Sequence, residues 1–293
     1  MKIGFHALHY HRIPLQVVSD LGTSLHLEGF EICLSAKLLK PFSERSDFGF
    51  PYSVFSEPAE AAGISAMLSL GGDGTLLDTL LYTLQNKIPL LGVNFGRMGF
   101  LPCIQDSSIM ELASLLKQEK IPVEERAVLE IESGGQLNPF SEFPFALNEV
   151  AIMKKETASM ITIKTNVDGV FLNEYWGDGL IVSSPTGSTG YSLSCGGPIL
   201  WPDSEAIVLT PVSPHNLSMR PIVLSDKMEI TLIPKGRSSK ILVSMDSRSK
   251  SIPANQPINI RKSSEKALFI KISPNGFPNT LREKLLWGKD IRN

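Results

Sequence analysis

The sequence predicts two domains, an α/β N-terminal domain with a Rossmann-like parallel sheet and a mostly antiparallel β C-terminal domain. The length of 293 residues is long for one compact unit and natural for two. The first hundred residues alternate short apolar runs with helical patterns, whereas β-branched runs recur after about residue 123. We therefore place the α/β domain at residues 1–122, with 275–293 returning to it, and the β domain at 123–274.

Apolar spacing assigns the elements of the first domain. Pro14 suits the first turn of a helix, and apolar residues at helical spacing predict a second helix over Thr75–Gln85. Several prolines and serines in residues 41–60 predict a mobile loop. Strand, helix and strand in this order predict a parallel, right-handed α/β unit. The predicted strands are Ile3–Ala7, Phe30–Leu34, Ala66–Leu70 and Ile88–Val93.

The second domain is predicted from β-branched runs separated by Gly, Pro, Asn and Ser, with few helical patterns between them. The segment Leu281–Trp287 is helix-like. The predicted strands are Val128–Ile131, Met160–Asn166, Leu180–Val182, Ile207–Leu209, Met228–Ile233, Ile241–Val243, Ile258–Ile260 and Leu268–Ile272.

Composition excludes several classes of function. Lys and Arg total 28 against 30 Asp and Glu, so we expect no nucleic-acid partner held by its phosphate backbone. No apolar run is long enough to span a membrane, and the N-terminus lacks the pattern of a signal peptide. Three scattered cysteines form no C-x-x-C pair, which favours a reducing compartment. We therefore expect a cytoplasmic protein without membrane contact.

Three histidines near the N-terminus, His6, His9 and His11, have the spacing of metal ligands. No acidic residue or cysteine lies nearby to complete a site. We expect no metal ion bound directly by protein side chains.

The most informative segment is the glycine-rich turn Gly71-Gly72-Asp73-Gly74-Thr75, between a predicted strand and a predicted helix. Glycines there let the backbone turn tightly and present N–H groups to phosphate oxygens. A carboxylate among such amides repels phosphate unless it acts as a base toward an attacking hydroxyl, or acts through Mg²⁺. The alternative is an Asp that only caps the following helix. The chain contains neither a P-loop motif nor the G-x-G-x-x-G fingerprint.

Two further segments carry polar groups at the ends of apolar runs. The loop within Asp178–Ser194 is crowded with hydroxyls and glycines that suit ribose and phosphate oxygens, and Tyr191 can stack on a base. The pair Asn148-Glu149 stands inside an apolar run and could grip two neighbouring ribose hydroxyls. The alternative for the Asp178–Ser194 loop is an exposed polar loop without a ligand. The alternative for Asn148-Glu149 is a position on an edge strand.

Taken together, these segments resemble the NAD kinase family over almost the whole chain and in the right order. The family combines a G-G-D-G-T turn, a V-N-x-G-x-L-G-F-L stretch, an N-E or N-D pair and a D-G-x-I-x-x-T-P-T-G-S-T-A-Y loop. This sequence supplies the turn, Val93–Leu101, Asn148-Glu149 and Asp178–Tyr191, and Ser213–Pro221 resembles a later S/C-P-H-x-L-x-x-R-P stretch. The long Asp178–Tyr191 motif is the most specific of these.

The resemblance implies a transferase that moves the γ-phosphate of ATP, with Mg²⁺ or another divalent cation, to the 2′-hydroxyl of the adenosine ribose of NAD, as a homodimer or homotetramer. It implies Asp73 as the catalytic base and phosphate contacts from Gly71, Gly72, Gly74 and Thr75. The residues it implies for NAD binding are Asp73, Gly74, Asn148, Glu149, Asp178, Thr189, Gly190, Tyr191, Ser192, Leu193 and Ser194.

Two positions depart from the family pattern. Gly190 stands where Ala is usual, and Asp246-Ser247-Arg248 stands where an acidic, small, Gln triplet is usual. Two alternatives to an NAD kinase are considered. A lipid or sphingoid kinase also carries G-G-D-G-T, but it needs an apolar acceptor cavity, whereas the Ser183–Ser194 loop is polar. A non-catalytic NAD-binding regulator would have no use for a carboxylate beside phosphates.

Overall fold

The computed structural model separates into two units, residues 1–125 with 267–293, and residues 126–266. Strand β18 (Ile258–Ile270) runs from the second unit into the first. The residues described are 1–8, 13–40, 48–95, 99–105, 109–118, 121–133, 138–156, 159–271 and 276–286.

The first unit contains a parallel sheet. The strand order is β5-β4-β1-β2-β3, with β3 at the edge. On the side of β5 away from β4, Leu90 pairs with β18, and the residues from Gly92 onward pair with β6. Every pairing in this sheet is parallel, which confirms the predicted α/β class. The strands of this unit are β1 (Lys2–His6), β2 (Glu31–Ser35), β3 (Tyr52–Phe55), β4 (Ala66–Leu70), β5 (Leu90–Asn94), β6 (Cys103–Gln105) and the end of β18.

The helices of the first unit cover this sheet through apolar faces. Pro14 precedes α1 as its N-cap and is not in its first turn, and the Ser35 hydroxyl caps α2 by accepting from the Leu38 amide at 3.2 Å. No helix in the described part of the chain is long and apolar enough to cross a membrane. The helices of both units are α1 (Leu15–Leu27), α2 (Ala36–Leu39), α3 (Asp73–Thr83), α4 (Ile109–Leu116), α5 (Tyr191–Ser194) and α6 (Gly276–Leu285), of which only α5 lies in the second unit.

The loop predicted over residues 41–60 is wrong for its second half. Residues 52–55 form β3, which pairs in parallel with β2, and Pro58–Ala61 form a 3₁₀ helix. Phe48, Phe50 and Phe55 are buried, and the burial of these side chains stabilises the segment. The prolines and serines of the segment suggested a loop and did not indicate this burial. Residues 41–47 lie outside the described part of the chain.

Parallel strands bring their carboxyl ends to one edge of the sheet, where ligands of open α/β sheets bind. Strand β4 ends at Leu70 and leads directly into the glycine-rich turn, and β5 ends at Asn94. Both strands are buried along their whole length, so the turn stands on a rigid base.

The second unit is antiparallel throughout its described pairings, which confirms the predicted β class. One sheet has the order β14-β13-β12-β9-β16-β17, and a second group runs β11-β10-β15-β18, with β7 paired to β18 and β8. Two predicted strands, Ile258–Ile260 and Leu268–Ile272, are parts of one strand, β18, although residue 272 lies outside the described part of the chain. The other strands are β7 (Val123–Ser133), β8 (Phe145–Ala146), β9 (Glu149–Met153), β10 (Ile161–Val167), β11 (Val170–Gly177), β12 (Gly179–Ser183), β13 (Ala206–Val212), β14 (Ile222–Ser225), β15 (Ile230–Lys235), β16 (Lys240–Met245) and β17 (Arg248–Pro253).

Candidate active site

The glycine-rich turn presents backbone N–H groups at the start of α3. The Gly71 amide donates to the Val93 carbonyl at 2.9 Å, which fixes the turn to the neighbouring strand β5. Gly71 has a φ of +146°, and a side chain there would meet the Thr75 hydroxyl at 2.5 Å, so only glycine fits. The amides of Gly72, Asp73 and Gly74 have no acceptor among the described residues. Open amides at a helix N-terminus form an anion-binding arrangement.

Thr75 occupies a different environment from the glycines. Its side chain is buried beneath the turn, and its amide donates to the Gly72 carbonyl at 3.0 Å. Gly72 and Gly74 are exposed, and no atom lies within 4 Å of where a side chain would be on either of them. Of the four predicted phosphate contacts, Gly72 and Gly74 are therefore the two with open surroundings.

Asp73 does not cap α3. Gly72 is the N-cap, no side chain caps this helix, and the Asp73 carboxylate instead accepts the Phe100 amide at 3.0 Å. Burial raises the pKa of Asp73, while hydrogen bonds from the Phe100 and Leu101 amides and the nearby charge of Lys284 oppose that rise. The carboxylate is thus partly shielded from water and supplied with backbone donors. The helix-cap alternative is wrong, because the Asp73 side chain makes its hydrogen bond to the Phe100 amide and none to the first turn of α3.

In the second unit, Asp246 anchors the segment that carries Asn148 and Glu149. Its partly buried carboxylate accepts the amides of Leu147 at 2.8 Å, Asn148 at 2.8 Å and Glu149 at 3.2 Å. Burial raises the pKa of Asp246, and these three amides and Arg248 oppose the rise. Asp246 therefore shapes the backbone under the predicted pair, a role that the sequence pattern did not reveal.

Arg248 turns away from this pair and toward strand β8. Its guanidinium donates to the Phe143 carbonyl at 2.7 Å and to the Phe145 carbonyl, and it lies 4.8 Å from the centre of the Phe143 ring. These contacts satisfy buried carbonyls and a cation–π geometry. The departure from Gln at this position is thus explained by packing against the segment before Asn148.

Glu149 has the most perturbed carboxyl group of the predicted site. It begins β9, which lies between β12 and β16, so the edge-strand alternative is wrong. Burial and the neighbouring Asp246 raise the pKa of Glu149 to about 7, although a hydrogen bond from the Tyr191 amide lowers it. Its Oε2 atom is buried and has no hydrogen-bond partner among the described residues. A buried orphan carboxylate oxygen is costly, and a ligand hydroxyl would satisfy it.

The loop after β12 packs directly against Asn148. The Asn148 carbonyl accepts the Ser184 amide at 2.9 Å, and a side chain at Gly187 would overlap the Asn148 backbone. A methyl group at Gly190 would lie 2.9 Å from the Glu149 Oε2 atom, so this departure from Ala leaves space at the carboxylate. The structure therefore brings Asn148, Glu149 and Gly190 together.

The residues of α5 are divided between the surface and the interior. Tyr191 is 39% exposed and Ser194 is exposed, whereas Ser192 is buried with its hydroxyl 2.7 Å from that of Thr210. Leu193 is partly buried. Thr189 is partly buried and its hydroxyl donates to the Thr186 carbonyl at 3.1 Å. Tyr191 and Ser194 are the best exposed of this group.

Asp178 stands at the other end of β12. In the register of β9 and β12, Gly179 pairs with Met153 and Ser183 pairs with Glu149, so Asp178 lies five residues along the strand from the partner of Glu149, roughly 17 Å away. The Asp178 carboxylate lies 2.6 Å from the Lys154 ammonium group. The charges of both Asp178 and Glu149 contribute to a raised pKa of Tyr191, behind its burial, so Tyr191 lies within electrostatic reach of each.

Of the three histidines near the N-terminus, His6 lies in the described part of the chain, and it is a buried structural residue. Its ring nitrogens lie 3.0 Å from the Ser35 hydroxyl and 2.9 Å from the Asp78 carboxylate, and burial lowers its pKa. His9 and His11 lie outside the described residues. No cluster of three His, Cys, Asp or Glu side chains with metal-binding geometry occurs in the described part of the chain.

An α/β unit with an anion-binding turn and one oriented carboxylate, followed by a β unit with a polar pair, defines a phosphotransferase of the G-G-D-G-T type. Comparison with known proteins agrees: the ATP-NAD kinase N-terminal domain matches residues 18–123 and the ATP-NAD kinase C-terminal domain matches residues 147–272. The chain belongs to the NAD kinase family.

Relatives cover the whole chain. It is 40% identical to the NAD kinase of Flavobacterium johnsoniae and 41% identical to that of Christiangramia forsetii, with all of both chains covered in each case. Among solved structures, an Archaeoglobus fulgidus NAD kinase in complex with ATP has a TM-score of 0.73 and 27% identity, covering 95% of this chain and 96% of that one. Yeast NADH kinase complexed with NADH shares the fold, with a TM-score of 0.87 at 19% identity, covering 100% of this chain and 89% of that one.

Proposed function

We propose that this enzyme transfers the γ-phosphate of ATP to the 2′-hydroxyl of the adenosine ribose of NAD, giving NADP and ADP. The observation that carries the proposal is the set of open amides at Gly72–Gly74 beside the carboxylate of Asp73, which is partly buried and accepts backbone donors. Phosphoryl transfer requires positioning and charge neutralisation more than covalent chemistry, and these groups supply both.

Asp73 acts as the general base. As the bond between the 2′-oxygen and the γ-phosphorus forms, the hydroxyl proton passes to the carboxylate, and the bond to the β-phosphate oxygen breaks to release ADP. Burial raises the pKa of Asp73, which makes its carboxylate a stronger base than an exposed aspartate. The amides of the turn hold phosphate oxygens through hydrogen bonds that need no reorganisation during the reaction.

NAD is held by residues of the second unit. Glu149 accepts a ribose hydroxyl through Oε2, the atom that has no partner among the described residues, and Asn148 contributes a neighbouring polar group. Tyr191 stacks on a base with its exposed ring, and Asp178 holds the nicotinamide end at the far end of β12. The segment Thr189–Ser194 lines the adenosine part, with its backbone and with the exposed Tyr191 and Ser194 side chains.

The divalent cation arrives with ATP. Mg²⁺ is usually held by substrate phosphates, waters and one or two carboxylates, so it needs no cage of protein ligands. The open phosphate-binding amides of the turn fit this mode, in which ATP would bring the cation and no protein side chain would bind it directly. The cation would neutralise charge on the phosphates during transfer.

The enzyme works in the cytoplasm as a homo-oligomer, dimer or tetramer. Cys33, Cys103 and Cys195 are free thiols, which suits a reducing compartment. Strand β11 pairs with β10 alone among the described strands and exposes Val170 at 70% and Phe171 at 57%, an apolar edge suited to a second copy. Light scattering on Phe171→Glu tests this edge: a smaller assembly supports it, and an unchanged mass refutes it.

We assign the catalytic turn to a domain of residues 1–122 and 275–293, and dinucleotide binding to residues 123–274. The two compact units change at 125/126 and 266/267, and the two matched family domains lie at 18–123 and 147–272, which supports this division.

The activity is tested by incubating the purified chain with ATP and Mg²⁺ together with either NAD or diacylglycerol. We expect NADP in the first mixture, measured with an NADP-specific dehydrogenase, and no phosphatidate in the second. Phosphatidate alone would establish the lipid kinase alternative. NAD binding without any turnover would establish the non-catalytic alternative.

A further inference from the structure

The Asp73 carboxylate occupies the space that a side chain at residue 99 would need. A methyl group on Gly99 would overlap both carboxylate oxygens and the carbon between them. The next residue, Phe100, donates its amide to Asp73 Oδ2 at 3.0 Å, and the Leu101 amide is a further donor. Gly99, Phe100 and Leu101 thus form a backbone surface against which the carboxylate rests.

We propose that Gly99 is a positioning residue for phosphoryl transfer, because only a residue without a side chain lets the carboxylate of Asp73 reach the Phe100 amide. The proposal rests on the proposed role of Asp73 as the base. It adds a second requirement to that role, which is that the carboxylate must contact the backbone of residues 99–101. These residues follow β5 in the chain and are separate in sequence from the turn that carries Asp73.

The contacts of the Asp73 carboxylate with residues 99–101 explain how it can lie beside phosphate-binding amides and still act as a base. Backbone donors restrict its orientation, and they hold it without neutralising it by a formal charge in direct contact. The positive charge of Lys284, from α6 of the same unit, favours the ionised form from further away. The carboxylate then has a free lone pair for one incoming proton and few ways to rotate from it.

A purely structural role for Gly99 is the competing explanation, and a double-mutant cycle separates the two. The four proteins are the parent, Gly99→Ala, Asp73→Ala and the double variant. Alanine at 73 removes the three atoms that the new methyl group overlaps, so the two substitutions should be strongly coupled if the carboxylate is what Gly99 accommodates.

We expect Gly99→Ala to lower kcat by about a hundredfold in the parent, since a displacement of about 1 Å can cost that much. The KM values for NAD and ATP should stay within about twofold, because no substrate-binding group is removed. In the Asp73→Ala background the same substitution should change the residual kcat less than about threefold. The control is Gly276→Ala, at an exposed site with no atom within 4 Å of the new methyl group, which should leave kcat within twofold.

Thermal unfolding of the same four proteins keeps the test decisive if Gly99→Ala is poorly folded. Gly99→Ala should lower the melting temperature in the parent and lower it far less in the Asp73→Ala background. Equal losses in both backgrounds, or a Gly99→Ala enzyme with kcat within threefold of the parent, would overturn the proposal. An Asp73→Ala enzyme with normal kcat would instead reject the base assignment, while the unfolding cycle would still report the contact.

Discussion

Glu149 allows a stability prediction whose sign and size follow from its surroundings. Its pKa rises from an ordinary 4.5 to about 7, first because it is buried and second because Asp246 is nearby. A tenfold change in a protonation equilibrium is worth about 1.4 kcal/mol, so the full difference corresponds to about 3 kcal/mol. Partial exposure of the side chain reduces this to roughly 1–3 kcal/mol.

The folded state binds the proton of Glu149 more tightly than the unfolded state does. Between pH 4.5 and 7 the folded chain therefore carries more protons, and the free energy of unfolding falls as the pH rises. Above pH 7 the whole penalty is present. Glu149→Gln cannot ionise, so it should match the parent near pH 4.5 and exceed it in stability above pH 8, by roughly 1–3 kcal/mol.

Thermal unfolding of parent and variant at pH 5 and pH 8.5 measures this effect. For a chain of this size we expect the melting temperature of Glu149→Gln to exceed that of the parent by about 2–4 °C for each kcal/mol at pH 8.5, and by far less at pH 5, where the titration between 4.5 and 7 has only begun. Glu174→Gln, at an exposed position of β11, is the matched control and should shift neither value. A Glu149→Gln protein that is equally or less stable than the parent at pH 8.5 would refute the reasoning.

Four further outcomes are expected. Asp73→Asn should lower kcat by about 10²–10⁴ while NAD binding, followed by titration, changes little; a kcat within about threefold would remove Asp73 from the mechanism. An NAD analogue lacking the adenosine 2′-hydroxyl should bind without reacting, and a 3′-phosphate detected by mass spectrometry would contradict the assigned acceptor. Glu149→Ala should raise the KM for NAD about tenfold with the fold intact; an unchanged KM with a large loss of stability would show a structural pair. Asp246→Asn leaves at least one of three backbone amides without its charged acceptor, so we expect a loss of about 1–3 kcal/mol in unfolding, and an unchanged melting temperature would contradict this.

The features that the sequence predicted are those encoded by neighbouring residues. The turn at Gly71–Thr75 and helix α3 depend on glycine geometry and on apolar spacing within eleven residues. The turn occurs where it was expected, and α3 begins and ends two residues before the predicted Thr75–Gln85. Strand β3 was missed because prolines dominate its surroundings, although the aromatic residues Phe48, Phe50 and Phe55 were a visible signal of burial. Local composition therefore gave the class of each half correctly, but the predicted strands do not include β3, β6, β8, β9, β11, β14 and β17.

Contacts between distant residues could not be predicted from local patterns. Asp246 reaches amides 97 to 99 residues earlier in the chain, and Arg248 reaches carbonyls 103 and 105 residues earlier. The Phe100 amide meets a carboxylate 27 residues before it. Nothing in the composition around Lys284 indicated its approach to Asp73. Such pairings require the three-dimensional path of the chain.

The first unit is made from two separated stretches of chain, and this has a consequence for synthesis on the ribosome. The second unit is continuous over residues 126–266, so it can complete its sheets before β18 pairs with β5 and before α6 exists. Proteins generally fold their N-terminal part first during translation. Here the part translated first has one flank of β5 uncovered at Leu90 until Phe269, which is translated after the whole second unit, pairs with it. The emergence of residues 267–286, and not that of residue 125, is then the event that completes the unit carrying the glycine-rich turn.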